Sequence, residues 1–154
     1  MVYNKGMKNT TNEICGLLLD AVSGFYENDS RARTFGTGTE LYHSEIHMLQ
    51  CIEENPDAHI SGLARLLGVT RGAASQTAKR LERKQMAVKQ ASPENSRKIL
   101  LRLTPAGQTA VANHKAAHAR YNAVIAEILA GAQPEQLRFL HDFLLRFGEA
   151  VKKP

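Results

Sequence analysis

The feature that most constrains this chain is a change of hydrophobic period between residues 61 and 103. Residues 59–67 form a short helical run entered at Ser61. Gly68-Val69-Thr70 follows as a tight turn, in which glycine permits a backbone conformation that other residues avoid. Thr70 is placed to cap the next helix. That helix runs from Arg71 to about Lys84, with Ala74, Ala78 and Leu81 inward and Arg71, Ser75, Gln76, Lys79 and Arg80 outward. The period then falls to two. Residues 86–90 and 99–103 read as short strands, and the turn-rich residues 92–96 between them make a hairpin.

The flanks are helical. Ile14, Leu17, Leu18, Ala21, Val22 and Phe25 fall at helical spacing, so a helix is predicted over 10–25, capped by Thr10 or Thr11. Residues 28–39 are polar, contain Gly36 and Gly38, and read as a fraying end and a loop. A second helix spans residues 43–54, with Ile46, Leu49 and Ile52 inward, and Pro56 ends it. Thr104-Pro105 opens a long helix with threonine as cap and proline at the first helical position. It continues to Gly131, and Pro134 begins a last helix with Leu137, Leu140, Leu144, Phe147 and Val151 in heptad-like steps. The fold class expected is mainly α with a small β-hairpin wing (α+β), a winged helix-turn-helix with helical dimerisation arms. The expected division is 1–40 for an N-terminal dimerisation helix and loop, 41–104 for the DNA-binding domain, and 105–154 for C-terminal dimerisation helices. The arms carry more apolar surface than the central module can cover, so a symmetric homodimer is expected in preference to a monomeric bundle. Ile14, Leu17, Leu140, Leu144 and Phe147 are its predicted interface residues.

Charge is segregated along the chain. Residues 65–102 hold ten Lys/Arg against two Asp/Glu, whereas residues 1–64 hold four against nine. A localised basic block in a folded chain is the footprint of a polyanion. Outward arginine and glutamine can fork onto base edges, and serine and lysine can reach phosphates. The predicted DNA-binding residues are Ser61, Thr70, Arg71, Ser75, Gln76, Lys79 and Arg80, with Arg97 and Lys98 on the wing.

With Leu63-Ala64, Gly68-Val69-Thr70, Leu81-Glu82-Arg83-Lys84 and Leu103-Thr104-Pro105-Ala106-Gly107, the run 61–107 resembles the MarR family of winged-helix regulators. The helix order on both sides is similar to that family too. The resemblance implies a dimer joined through the first and last two helices, binding palindromic DNA as a repressor or, less often, an activator. The family wing has Asp-x-Arg before its second strand; here Arg97 fills the arginine place and Asn95 stands where aspartate is usual.

Four of the six histidines form two i, i+4 pairs, His43/His47 and His114/His118. That spacing puts two imidazoles on one helix face, as zinc ligation needs. His114 and His118 also fall on the stripe Val111, His114, His118, Tyr121, Ile125, Ile128, predicted to point inward. His47, His114 and His118 resemble positions of the family's zinc-responsive branch, which implies a metal set completed by Asp29 or Glu27. That branch has glutamate before its helix-two histidine, where this chain has Ile46. A structural histidine cluster and a small organic or acyl effector stand beside the zinc reading. Cys51, four residues after His47, is read as a packed thiol in preference to a ligand or oxidant sensor, and His43 joins it as a candidate sensor residue.

Cys15 and Cys51 form no CxxC, no apolar run approaches a membrane span, and the mixed N-terminus is unlike a signal peptide, so a reduced cytoplasmic location is expected. No Gly-x-Ser-x-Gly, phosphate-loop or His-Glu-x-x-His motif is present, since Lys115 follows His114, and no enzyme is expected. The expected function is a sequence-specific transcriptional regulator, a ligand-responsive repressor acting as a homodimer on double-stranded DNA. A zinc-responsive regulator and a nonspecific architectural DNA-binding protein are the alternatives.

Overall fold

The computed structural model of the chain describes residues 3–91 and 99–152. The order is α1 (Tyr3–Ser30), α2 (His43–Glu54), α3 (Ile60–Leu66), α4 (Arg71–Arg83), β1 (Ala87–Ala91), β2 (Ile99–Leu103), α5 (Pro105–Leu129) and α6 (Pro134–Ala150). Two compact units divide the chain, residues 1–114 and 115–154, and α5 runs on from the first into the second. The sequence division placed all of α5 with the C-terminal arm. The compact first unit instead keeps its opening turns, because Ala110, Val111 and His114 are buried there.

The core of the first unit joins α2 through Ile46, Met48, Leu49 and Ile52 to Leu63 of α3, Ala74, Ala78 and Leu81 of α4, and Leu101 of β2. Burying a large apolar side chain stabilises the fold by about 1.5–3 kcal/mol. Small residues on the inner face of α4 let it lie close to its neighbours. Strands β1 and β2 pair antiparallel, with Ala87 opposite Leu103 and Gln90 opposite Leu100. An isolated bridge between His59 and Leu100 ties the start of α3 to the hairpin.

The junctions obey the local chemistry. Gly68 has φ +65°, and the Val69 N–H behind it donates to the Ala64 carbonyl at 3.0 Å, closing α3. The Thr70 hydroxyl accepts from the Ala73 N–H at 3.2 Å, as its capping place predicts. Thr104 caps α5, accepting from the Gly107 N–H at 3.1 Å while its own hydroxyl donates to the Gln85 carbonyl at 2.7 Å. At Gly107 a Cβ would overlap the Met86 carbonyl oxygen, so the helix start packs backbone to backbone against the entry to β1.

The starts of α1 and α3 differ from expectation, and β1 lies one residue beyond the expected 86–90. Helix α1 begins at Tyr3 and ends at Ser30, so Thr10 and Thr11 lie inside it and cap nothing. No proline interrupts residues 3–30, and an exposed threonine costs a helix interior only about 0.7 kcal/mol against alanine. Helix α3 begins at Ile60 with His59 in the cap position, so Ser61 sits in the first turn. In the second unit, Phe143 and Phe147 stack one turn apart on α6 with ring centroids 6.1 Å apart. No residue of α6 is buried.

Candidate nucleic-acid interface

The outer side of α4 is a ladder of exposed polar side chains. Arg71, Gln76, Lys79 and Arg83 are exposed. Among the described residues, none of Arg71, Lys79 or Arg83 is held in an ion pair, so three cations stand on this face next to an amide. Thr70 is exposed at the head of the helix. Ser75 is half-buried and faces a hollow of about 160 Å³ between α4 and the hairpin, lined also by Ile60, Lys89 and Ile99, so it is not fully outward as predicted. Ser61 is half-buried as well. Arg97, Lys98 and Asn95, together with the turn 92–96, lie outside the described residues.

Part of the basic block turns inward. Arg80, predicted to face out, donates through Nε to Glu45 Oε1 at 3.2 Å and through Nη2 to Thr77 Oγ1 at 2.9 Å. Lys84 donates through Nζ to Glu45 Oε2 at 2.6 Å and to the Glu40 carbonyl at 2.8 Å. Lys89 pairs with Glu82 at 2.8 Å, and Arg102 reaches the Pro56 carbonyl and Asp57. Segment charge therefore overstates the charge available to a partner.

Glu45, at 0 % exposure, is the residue that sequence reasoning missed. Burial opposes its ionisation, but the Lys84 ammonium, the Tyr42 N–H at 3.0 Å and the Arg80 guanidinium outweigh that cost and hold its carboxyl below the ordinary glutamate value. Its cations lie 39 and 35 positions away, beyond any local pattern.

A histidine corner lies beside this face. His43 Nε2 and Asp29 Oδ2 are 3.0 Å apart, and the rings of His43 and His47 are 4.1 Å apart by centroid. His114 is buried, as predicted, and meets His47 edge-on at 5.0 Å and Phe35 at 5.5 Å. Phe35 is held there because its carbonyl accepts from Asn113 Nδ2 at 2.8 Å. Donor atoms of Asp29, His43 and His47 lie within 4.8 Å of one another. Of the metal set expected from sequence, Asp29 and His47 come together, and His43 joins them. His118 is half-buried and belongs to the second unit, and beyond it Tyr121, Ile125 and Ile128 are exposed, so the predicted inward stripe ends at His114. His43 and His47 also line a cavity of about 380 Å³ with Gln76, Thr77 and Arg80 of α4.

Cys51 is buried, and burial together with nearby Glu54 pushes its thiol above the ordinary value. A thiol held protonated is a poor ligand and a slow target for oxidants. Cys15 is exposed on α1.

The predicted interface residues carry a large uncovered apolar face. Ile14 is 51 % exposed, Leu17 63 % and Leu144 48 %, while Leu140 and Phe147 are half-buried. No helix among the described residues is long and apolar enough to cross a membrane.

Residues 41–99 match the MarR family model. An uncharacterized HTH-type transcriptional regulator of Bacillus subtilis strain 168, YhjH, is 26 % identical over 83 residues, which cover 54 % of this chain. The match spans 47 % of that relative, about half of its length. Among solved structures, Streptococcus pneumoniae FabT in complex with DNA has a TM-score of 0.69 at 24 % identity, over 94 % of this chain and 96 % of its own. Lactococcus lactis ZitR, a zinc-responsive MarR family member, has a TM-score of 0.72 at 18 % identity, over 91 % and 98 %. At these identities the structural likeness speaks for the fold. The cap at Thr70, the glycine turn before it and the two-stranded hairpin after α4 fall in or beside the segment that the family model matches. Residues 41–99 are thus similar to the MarR family, and the chain has the winged helix-turn-helix fold of the solved structures above.

Proposed function

We propose that this protein is a sequence-selective, DNA-binding transcriptional regulator that acts as a homodimer on palindromic sites and responds to a small effector, most simply as a repressor. One observation carries the reading. Helix α4 presents Arg71, Gln76, Lys79 and Arg83 together on the solvent side of a capped helix-turn-helix, and that face is complementary to a major groove. FabT, of similar fold, forms a complex with DNA, which supports the partner. A second copy covering the apolar faces of α1 and α6 would pair two recognition helices at about one turn of DNA, roughly 34–36 Å. An effector that favours one arrangement of the two helices would then alter binding.

The test is titration of the purified protein on promoter fragments and on random DNA, with and without candidate effectors. Binding to a chosen site well above random DNA supports the regulator. Equal binding to both would favour the architectural alternative, which needs the basic face and no base reading.

A zinc-responsive mode is the second reading, and the Asp29–His43–His47 grouping favours it. Two imidazoles and one carboxylate are a donor set that suits zinc, and a bound ion would join the end of α1 to the start of α2. ZitR, of similar fold, is zinc-responsive. Zinc-dependent DNA binding that is lost in His43→Ala and His47→Ala would support this mode. Indifference to zinc moves the search to organic or acyl ligands of the cavity beside these histidines.

A further inference from the structure

We infer that Glu45 is a positioning residue for DNA reading: it sets the angular phase of α4 against α2, and so decides which side chains α4 offers to a base edge. The inference rests on the reading of the chain as a sequence-selective DNA-binding protein.

The geometry is unusual for so small a core. A carboxylate at 0 % exposure takes donors from Arg80 of α4, from Lys84 at the C-cap of that helix four positions later, and from the Tyr42 N–H. Its two oxygens are divided between the cations, Oε1 to Arg80 and Oε2 to Lys84. The four-residue separation of these cations matches one turn of helix, so both bonds hold only at one rotation of α4 about its axis. A buried ion pair commonly adds little net stability over a well-packed apolar contact, which would hold α2 and α4 together about as well. Direction is what the ion triad adds. An apolar side chain lets a helix turn by some degrees at little cost, whereas a carboxylate between two fixed donors does not. The inner face of α4 is Ala74, Thr77, Ala78 and Leu81, so Leu81 alone offers a large side chain to interlock with neighbours and oppose a roll. Arg80 Nη2 also binds Thr77 Oγ1, which locks the guanidinium to its own helix. With the phase set, Gln76, one turn before Arg80, and Lys79 beside it are exposed to solvent. A roll of α4 would displace those ends while leaving the number of exposed cations, and so the attraction to phosphates, nearly as it was.

The experiment separates positioning from stability. The wild-type protein selects its preferred site from a pool of random duplexes. Glu45→Gln, Glu45→Met and Glu45→Asp are then titrated on that site and on poly(dI-dC), with thermal melting followed in parallel. For folded Glu45→Gln and Glu45→Met the ratio of site to poly(dI-dC) affinity is expected to fall by about tenfold, in the range of one lost base contact, while poly(dI-dC) affinity holds or rises as Arg80 and Lys84 are released. Glu45→Asp, which keeps the charge on a shorter arm, is expected to recover part of the ratio. Lys84→Met is measured beside them, and it carries the same expectation where a Glu45 variant does not fold. A wild-type ratio in the folded variants overturns the inference, whatever their melting temperatures. A wild-type protein that recovers no preferred site overturns the regulator reading, and this inference with it. A preferred site retained equally by wild type and variants overturns the inference alone.

Discussion

Helices α4 and α6 are both amphipathic, yet they end in opposite states. Helix α4 buries Ala74, Thr77, Ala78 and Leu81, with small residues inside and its long polar side chains outside. Helix α6 buries nothing, and its large apolar members, Leu137, Phe139, Leu144 and Leu145, stand at 39 % exposure or more. The same sequence logic thus completes a core in one case and leaves a surface uncovered in the other. An exposed contiguous apolar face implies a partner. A helix built like α4 has its partners within the chain, whereas one built like α6 is consistent with a second copy. Mutations in the two regions should therefore break different things.

The largest effect is expected at the junction that serves the α4 module. Gly107→Ala should cost about 3 kcal/mol of stability, the upper range for overpacking, because the new Cβ meets the Met86 carbonyl and backbone cannot swing aside. Chemical denaturation measures it, and a wild-type midpoint would break the account of that junction. Leu17→Asp with Leu144→Asp should leave the melting of the winged module nearly unchanged while shifting the protein to monomer in sedimentation. A folded monomer of unaltered DNA affinity would break the comparison outright. On the α4 side, Gln76→Ala or Arg71→Ala should change sequence preference by about 1–3 kcal/mol of discrimination. Arg97→Ala should weaken all sequences alike, and equal loss on chosen and random DNA for Gln76→Ala would remove Gln76 from base reading.

Smaller effects sharpen the contrast further. The folded protein holds the Glu45 carboxyl below its ordinary value, so the unfolded chain binds that proton more readily. Stability from this group is complete above the ordinary glutamate range and is lost as pH falls through the lowered folded value. Glu45→Gln should flatten the acid limb of stability against pH, and an identical limb in both proteins would contradict the triad. Least of all, Cys51→Ser should leave DNA binding and its response to peroxide unchanged, since the thiol is buried and held protonated.

Much of this was legible locally. The Thr70 cap, the Gly68 turn, the Thr104-Pro105 start and the spans of α2, β2 and α4 follow from periodicity and from residues whose backbone or side chain allows one local arrangement. Helix α1 extends well before Thr10 because threonine is tolerated on an exposed helix face, so a residue type that favours caps does not by itself mark a beginning. The place of Arg80 on the helical wheel predicts an outward side chain. Its side chain is long enough to return to Glu45, and a wheel carries no information on length.

The sequence by itself determined the order of helices and strands, the exposure of Arg71, Gln76 and Lys79 on α4 and the burial of His114, because each depends on neighbours within a few turns. Only the tertiary structure decided that Glu45 is buried, that Gly107 must lack a side chain, and that His43 joins Asp29 and His47. Those outcomes depend on atoms brought together from distant positions. The free energy of burying a charge or a Cβ is set by what lies against it, and that is a property of the packed chain.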